Sequence, residues 1–305
     1  MRIAIIDLGT NTFNLLIADK DENGNFSAVF KNKIPVKLGE GGIDKGLIAP
    51  EPYQRGVKAL ENHIKTINEY KVDKHRAFAT SAIRSTSNGH LFVKEVDELL
   101  GLKIEVIDGS KEAELIYYGV KEAVPFEETF DLIIDIGGGS TEFIIANKKS
   151  ISWAKSYQLG VSRLKELFKP SDPISDKEIK KIEAYFESNL KDLFEELSKT
   201  PCLKLIGSSG SFDTLVDMIS HQYNDKKRRK KKYCDIKLEE YDWAQKHIIK
   251  CNLSERIATP GMIEMRADMI VISVIFINYI LKKTNIEIIN RSKYALKEGA
   301  LNHYF

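Results

Sequence analysis

The sequence has few cysteines and no regular spacing of metal-binding side chains. Its three cysteines, Cys202, Cys234 and Cys251, are odd in number and lack CxxC spacing, which argues against a disulfide framework and a zinc site. The six histidines are scattered, so neither a histidine metal centre nor a phosphohistidine step is expected. This cysteine usage fits a reducing, cytoplasmic setting.

Long apolar runs are also missing. The longest stretch, Met269 to Leu281, has 13 residues and includes Ser273 and Asn278, whereas a membrane span needs about 20 residues. The N-terminal segment reaches Asp7 before an apolar signal core could attain its usual length. We therefore expect a buried helix in the apolar stretch, no targeting segment and no membrane partner.

The chain carries almost no net charge. Its 46 Lys and Arg residues against 44 Asp and Glu residues give a formal charge of +2, so any basic surface must be local. The run Lys226 to Lys232 contains seven basic residues. It could guide a polyanion by electrostatics, or be a mobile, solvated loop. Nucleic acid is not expected as a partner, because only Tyr233 lies nearby for base stacking.

The pattern of apolar runs predicts an α/β protein. A chain of 305 residues with 43% hydrophobic residues is more typical of two domains than of one. Strand-length runs open the chain as a β-meander, after which strands alternate with helices. The predicted helices lie near residues 52–70, 91–100, 111–124, 176–198 and 241–250, from Glu264 onward, and from Ala295 to the end.

The second half of the chain begins as the first half does. When Asp7 is laid on Asp135, "IIDLGTNTFNLLIA" matches "IIDIGGGSTEFIIA", with apolar residues facing apolar ones. Such self-similarity indicates duplication of one α/β unit. We predict lobes at 1–124 and 125–305, with a hinge near Pro125 and the last helix able to pack back on the first lobe. A ligand is expected in the cleft between the lobes.

Glycine-rich turns suggest what the cleft binds. Glycines let backbone N–H groups converge on an anion, and neighbouring hydroxyls add donors, so phosphate is the natural ligand. A β-bulge or a flexible turn is the alternative for any one of them. The predicted phosphate-binding residues of the three turns are Gly9, Thr10, Asn11 and Thr12; Gly137, Gly138, Gly139, Ser140 and Thr141; and Gly207, Ser208, Ser209 and Gly210.

Two aspartates stand at the ends of apolar strands, directly before these turns. Asp7 and Asp135 would repel phosphate, but each could hold a divalent cation that bridges to phosphate oxygens. Magnesium, or manganese, is the expected ion. The alternative is that each aspartate caps its own turn.

The motifs together resemble one enzyme family. In order along nearly the whole chain stand "IAIIDLGTNTFNLLIAD", "VKLGEGG", "ATSAIRST", "IDGSKEAELIYYGV", "LIIDIGGGSTEFIIA", "LGVSRLKE", "IGSSGSFDTL", "RAD" and "LKEGAL". This set resembles the exopolyphosphatase and guanosine pentaphosphate phosphohydrolase (Ppx/GppA) family. The resemblance implies two ribonuclease-H-like lobes of the actin, hexokinase and chaperone ATPase superfamily. The chain looks like the short form of the family, without additional helical domains.

The resemblance also implies site residues. It makes Glu112 the catalytic glutamate, Glu142 a second catalytic or metal-organising carboxylate, and Arg84 a phosphate ligand. Without the resemblance, each residue has a non-catalytic alternative. Glu112 could interact only with the helix dipole, Glu142 could be a solvent-facing strand residue, and Arg84 could be a surface side chain.

Two further positions concern the edge of the site. Glu114 stands where many members of the family carry a basic side chain, which would weaken local phosphate affinity. The loop of Lys37 and Gly39 resembles one that borders the active-site entrance in the family, although such a lysine is most often merely solvated.

The leading hypothesis is a magnesium-dependent exopolyphosphatase that releases orthophosphate from inorganic polyphosphate, and that also accepts guanosine pentaphosphate as a candidate substrate. Two alternatives stay open: an ATP-dependent phosphotransferase or ATPase of the same superfamily, and a non-catalytic module that binds polyphosphate or the alarmone. A homodimer is implied only by the resemblance.

Overall fold

The computed structural model describes residues 1–305 as two mixed β-sheets with helices between and around them. The strands are β1 (Arg2–Leu8), β2 (Thr12–Lys20), β3 (Phe26–Pro35), β4 (Lys74–Ala79), β5 (Ile104–Val106), β6 (Asp131–Ile136), β7 (Thr141–Ala146), β8 (Ile151–Tyr157), β9 (Lys204–Ser208), β10 (Tyr233–Ile236) and β11 (Ile288–Ser292). The helices are α1 (Pro50–Glu69), α2 (Ser81–Arg84), α3 (Gly89–Leu100), α4 (Gly109–Ala123), α5 (Val161–Phe168), α6 (Asp176–Asn189), α7 (Lys191–Lys199), α8 (Ser209–Gln222), α9 (Leu238–Lys250), α10 (Leu253–Ala258), α11 (Ile270–Lys283) and α12 (Leu296–Tyr304).

The two sheets have the same topology. The first has the strand order β3-β2-β1-β4-β5, and the second, read from its other edge, has β8-β7-β6-β9-β11 with β10 added. In both, the first strand pairs antiparallel with the next strand and parallel with the fourth. Asp7 pairs with Asn14, and Asp135 pairs with Glu142 in the same register. The predicted fold of two duplicated lobes is confirmed.

A hydrophobic core joins the two lobes. It contains Ile3 and Ile5 of the first sheet, Ile133 and Ile144 of the second, and apolar residues of α4 and α12. The alternate residues of β1, such as Ile6, face a separate core beneath α1 and α3. Because successive strand residues point to opposite faces, each sheet has one face toward the shared core. Helices α4 and α12 therefore lie between the sheets, and both begin at the cleft.

Glycines let these two central helices touch. A Cβ atom added to Gly119 of α4 would lie 1.9 Å from the carbonyl oxygen of Ala295, and one added to Gly299 of α12 would lie 1.7 Å from that of Leu115. No side chain fits at either position without moving backbone. The close crossing fixes the start of α12 relative to that of α4.

The structure corrects two predicted helices. The predicted helix 176–198 is two helices, α6 and α7, because Leu190 between them has non-helical dihedrals (φ −112°, ψ 18°). The helix predicted from Glu264 is only a 3-10 turn over Glu264–Arg266, and the α-helix begins at Ile270. The apolar pattern continues across the break at Leu190, because α6 and α7 pack against the same core. In contrast, none of the residues from Glu264 to Arg266 is buried.

The apolar stretch near residue 270 forms the predicted buried helix, α11, in which ten residues are buried. None of the helices combines the length and the apolar character needed to cross a membrane.

Candidate active site

A polar cavity of about 190 Å³ lies between the two lobes. Its walls come from the β1–β2 turn and the start of α4 in the first lobe, and from the β6–β7 turn and the start of α8 in the second. The carboxylates Asp7, Glu112, Asp135 and Glu142 all line it. The cavity is therefore built from both halves of the duplication.

The first two glycine turns are equivalent and face each other. The amide of Gly9 donates to the carbonyl of Thr12 (3.1 Å), and that of Gly137 donates to the carbonyl of Ser140 (3.0 Å). A Cβ atom on Gly139 would lie 2.6 Å from Oγ1 of Thr10 on the opposite turn. Since none of the residues from Gly137 to Gly139 has a positive φ, these glycines serve close approach between lobes. The absence of side chains at these positions lets the two turns come close together where they line the cavity.

Most predicted phosphate-binding residues line the cavity, but four do not. Those that do are Gly9, Thr10, Asn11, Thr12, Gly137, Gly138, Gly139, Ser140, Ser209 and Gly210, whereas Thr141, Gly207, Ser208 and Arg84 lie outside its lining. Thr141 donates to the carbonyl of Leu159 (3.0 Å), and Gly207 packs against the ring of Phe212. Ser208 donates to Asp135 (2.5 Å). The structure gives Thr141, Gly207 and Ser208 roles in supporting the turns.

The third turn uses a strained residue. Ser209 begins α8 with φ +73°, in the left-handed region, and its hydroxyl donates to the carbonyl of Ile136 (3.1 Å). A non-glycine residue in this region is unusual, and such residues cluster at functional sites. The turn directs the first residues of α8 into the cavity.

Glu112 is held in the first turn of α4. Asp108 caps this helix by accepting from the amide of Lys111 (2.8 Å). The Glu112 side chain is 9% exposed and its Oε2 accepts from Nη1 of Arg84 at 2.8 Å. The same Nη1 donates to the carbonyl of Ile107 (2.7 Å). Arg84 therefore contacts Glu112 from outside the cavity lining and orients its carboxylate. A direct contact between Arg84 and phosphate stays a prediction.

The carboxylates share a buried environment that raises their pKa values. Burial raises the pKa of Glu112 well above its usual value, and the charge of Glu142 adds to this, while Arg84 opposes it. The pKa of Glu142 is raised to about 7 by burial and by Asp135. The pKa of Asp135 is raised to about 6, mainly by burial. Such shifts in a cleft are typical of catalytic and ion-binding groups.

The donor set fits a divalent cation held in part by substrate. The structure contains no group of three His, Cys, Asp or Glu side chains positioned to hold a metal ion. Asp7 accepts from Asn14 (3.0 Å), and Asp135 accepts from Ser208, so each aspartate keeps free oxygen lone pairs. Magnesium is usually bound by one or two carboxylates plus water and substrate phosphates. Asp7 and Asp135 meet that requirement, and Glu142, which lines the same cavity, stays a predicted further ligand.

Three cations in the cavity lining were not identified from the sequence: Lys33, Arg266 and Lys297. The guanidinium of Arg266 lies flat against Gly210, where a Cβ atom would be 1.5 Å from its Cζ, and its Nη1 is buried without a hydrogen-bond partner. Burial lowers the pKa of Lys297, but the surrounding carboxylates outweigh this and raise it. Arg266 and Lys297 stand in the motifs "RAD" and "LKEGAL", which carry the resemblance. Their place in these motifs was the sequence signal that could have identified them as site residues.

The Lys37 loop lies beside the cavity and not in it. Lys37 and Glu40 line a neighbouring cavity of about 420 Å³. The side chains of Asn11, Ser162 and Met269 separate the two spaces, since the hydroxyl of Ser162 donates to Asn11 (2.6 Å) and lies 3.3 Å from the sulfur of Met269. Because Asn11 and Met269 line both cavities, the neighbouring cavity adjoins the cleft on the side of this loop.

Comparison with known proteins agrees with this geometry. The family model for the Ppx/GppA phosphatase family matches residues 16–304. The chain is 34% identical over 228 residues, 70% of its length, to a bifunctional 3-dehydroquinate synthase/phosphatase of Fusobacterium nucleatum, of which the match spans about a third (34%).

Solved structures resemble the chain over its whole length. An exopolyphosphatase from Cytophaga hutchinsonii is 38% identical, with a TM-score of 0.96 over 99% of this chain and 96% of that one. The Aquifex aeolicus member of the Ppx/GppA family is 25% identical, with a TM-score of 0.80 over 99% of this chain and 96% of that one. The chain therefore belongs to the Ppx/GppA phosphatase family, a family of enzymes that hydrolyse phosphoanhydrides.

Proposed function

We propose that this chain is an exopolyphosphatase that hydrolyses the terminal phosphoanhydride bond of inorganic polyphosphate and releases orthophosphate. The observation that carries the proposal is a pair of buried carboxylates, Glu112 and Glu142, in a cavity walled by two facing glycine turns. Similarity to the exopolyphosphatase of Cytophaga hutchinsonii supports the substrate class.

The size of the cavity favours recognition of a phosphate end. Its volume of about 190 Å³ is below the 300–1,000 Å³ or so that is usual for sites enclosing whole drug-sized ligands. A nucleoside would remain outside it. Polyphosphate and guanosine pentaphosphate both present a terminal phosphoanhydride, so the cavity alone does not select between them.

Glu112 is the proposed general base. In its ionised form it accepts a proton from a water molecule, whose oxygen forms a bond to the terminal phosphorus. The bond from that phosphorus to the bridging oxygen breaks, and the electron pair stays on the shortened chain. The raised pKa of Glu112 makes it a stronger base than an ordinary carboxylate, while Arg84 keeps it oriented.

The charge on the phosphoryl oxygens is neutralised from several sides. Backbone N–H groups of the facing turns donate to them, and Arg266 and Lys297 supply positive charge from the second lobe. A magnesium ion held by Asp7 and Asp135 would add Lewis-acid stabilisation when bound. The negative charge of Glu142 helps to keep the basicity of Glu112 high.

The alternatives differ in what they release. An ATP-dependent phosphotransferase would transfer phosphate to an acceptor, and no residue pattern indicates an acceptor pocket. A binding module would release nothing. Guanosine pentaphosphate is proposed as a second substrate, to be ranked against polyphosphate by measurement.

The test is orthophosphate release, with magnesium present, from tripolyphosphate, long-chain polyphosphate, guanosine pentaphosphate and ATP. We expect release from polyphosphate and a loss of about 100-fold or more in kcat for Glu112→Gln, because a general base usually contributes that much. The matched control is Glu122→Gln on the exposed face of the same helix, which should retain wild-type activity. Full activity in Glu112→Gln with unchanged folding would refute the assignment.

A further inference from the structure

A row of paired residues crosses the first sheet at the cleft. Asp7 of β1 pairs with Asn14 of β2, and Asn14 pairs with Lys33 of β3. Asn14 donates to Asp7 (3.0 Å), while Lys33 lies at the outer end of the row, on the edge strand. All three residues line the cavity between the lobes. Because directly paired residues on neighbouring strands have their side chains on the same face, the amine of Lys33 lies on the same side of the sheet as the carboxylate of Asp7.

The duplicated row of the second sheet has a different charge. There Asp135 pairs with Glu142, and Glu142 pairs with Ser156. The hydroxyl of Ser156 donates to Glu142 at 2.7 Å, so Lys33 stands where the second lobe has a neutral partner of a carboxylate. When ionised, Asp135 and Glu142 give the second row two negative charges, whereas the charges of Asp7 and Lys33 cancel. The duplicated halves of the site have therefore diverged, and only the first row carries a cation.

The amine of Lys33 has no partner in the protein. Lys31, two residues earlier, pairs with Glu298 (2.9 Å), whereas Lys33 donates beyond the sheet only through its backbone amide. Although Lys33 is accessible to solvent, the protein around it displaces water, and this desolvation together with the charges of Arg266 and Lys297 lowers its pKa to about 8. An anion that enters the cavity beside Lys33 gains an ion pair that no carboxylate of the protein occupies.

Lys33 and Glu112 approach the cavity from opposite edges of the first sheet. In the strand order β3-β2-β1-β4-β5, Lys33 belongs to β3 at one edge. Glu112 is held near the other edge by Arg84, which ends α2 after β4, and by the start of α4 after β5. Of the groups whose charges act most on Lys33 and on Glu112, only Asp7 is common to both. A phosphorus atom beside Asp7 therefore has the proposed base on one side and Lys33 on the other, as in-line transfer between an attacking and a leaving oxygen requires.

We propose that Lys33 is a catalytic residue that stabilises the leaving group. This rests on the proposed function and deepens it, since it assigns the group opposite the base. When the bond between the terminal phosphorus and the bridging oxygen breaks, the electron pair stays on that oxygen. The ammonium of Lys33 donates a hydrogen bond to this oxygen and keeps its proton, while the proton from the attacking water goes to Glu112. The products are orthophosphate and the shortened chain.

The first measurement is hydrolysis of tripolyphosphate by Lys33→Met. We expect kcat to fall by about 100-fold, as it does when one donor to a developing negative charge is removed, with little change in KM. Lys74→Met is the matched control, because Lys74 is an exposed residue of the same sheet at the end of β4 remote from the cleft, and it should keep wild-type activity. An increase in KM at unchanged kcat would show that Lys33 only holds bound phosphate, and would overturn the proposal.

Leaving groups of different basicity give a second readout. Two triphosphate analogues carry a methylene or a difluoromethylene bisphosphonate in place of the leaving pyrophosphate, and fluorine makes the leaving oxygen less basic. Because Lys33 stabilises that oxygen, Lys33→Met should lose more activity with the methylene analogue than with the difluoromethylene analogue. Lys33→Arg, which keeps the charge, should recover part of the difference. A merely structural role would reduce both activities by the same factor, and that result would overturn the proposal.

The outcomes distinguish this proposal from the proposed function. Hydrolysis that is lost in Glu112→Gln but unchanged in Lys33→Met would leave the proposed function intact and overturn the role of Lys33. Absence of phosphate release by the wild type from every substrate would overturn both. Lys33 is exposed on an edge strand, so neither substitution removes core packing, and circular dichroism of each variant checks that the fold is retained.

Discussion

Arg84 and Glu112 form a partly buried ion pair, with Nη1 of the arginine 2.8 Å from Oε2 of the glutamate. Both side chains come from the first lobe, Arg84 from the end of α2 and Glu112 from the first turn of α4. Burial and Glu142 raise the pKa of Glu112, and Arg84 is the main group that opposes them. The pair therefore sets the pH at which the proposed base becomes active.

Removal of Arg84 should move the pH profile. An arginine favours the ionised form of a neighbouring carboxylate, so in Arg84→Met the pKa of Glu112 should rise further. The acid limb of kcat/KM for tripolyphosphate should then lie at higher pH than in the wild type. Arg84→Lys retains the charge and serves as the control.

The same profile tests the alternative role of Arg84. If Arg84 contacts phosphate directly, as the sequence predicts, KM should increase at every pH while the acid limb stays in place. That outcome would contradict the positioning role that the structure favours.

Stability of the metal-free protein should decrease as pH rises. The pKa of Glu142 is about 7 in the folded protein, against an ordinary value of 4.5 for a glutamate. A carboxyl with a raised pKa contributes stability that is full below the unfolded pKa and is lost as pH rises through the folded one. The difference between these two pKa values corresponds to a loss of about 3 kcal/mol in the free energy of unfolding between pH 4.5 and a pH above 7. Asp135, with a pKa of about 6, acts in the same direction.

Thermal unfolding in the presence of EDTA measures this pH dependence of stability. We expect the Tm of the wild type to be lower at pH 8 than at pH 5, and this difference to shrink in Glu142→Gln, which cannot ionise. Glu122→Gln should behave as the wild type does. A Tm that rises over this range by the same amount in all three proteins would contradict the buried carboxylate cluster.

The crossing of α4 and α12 should not tolerate a methyl group. Alanine is normally favoured over glycine within a helix by about 1 kcal/mol, but the Cβ atom of Gly119→Ala would lie 1.9 Å from the carbonyl oxygen of Ala295. We expect a net loss of about 3 kcal/mol in the free energy of unfolding, since backbone must shift.

Gly56→Ala is the matched control for that substitution. Its Cβ atom would meet ring atoms of Phe92, the nearest at 2.9 Å, and a side chain can yield. Denaturant unfolding should place Gly56→Ala within about 1 kcal/mol of the wild type. Equal stability of the two variants would show that the contact between the central helices is not tight.

The local pattern of apolar residues was sufficient to predict the two duplicated sheets. The alignment that lays Asp7 on Asp135 also lays Asn14 on Glu142, and the structure pairs each aspartate with that residue, because strand register follows from the apolar pattern. The break at Leu190 was not predictable in the same way, since both helices keep one apolar face.

The site was predictable only where a residue lies next to a recognisable turn. Lys33 reaches the cavity from a strand that is remote in sequence from the turns, and no local spacing points to it. Conversely, Gly207 stands in a glycine turn but packs against Phe212. Which side of a turn faces the cavity is decided by tertiary packing.

Hydrolysis of tripolyphosphate in ¹⁸O-labelled water tests the central claim most directly. If water attacks the terminal phosphorus beside Glu112, the released orthophosphate should carry one labelled oxygen and the pyrophosphate none, and Glu112→Gln should form neither product at an appreciable rate. Label in the pyrophosphate, or orthophosphate formed equally fast by Glu112→Gln, would contradict the account.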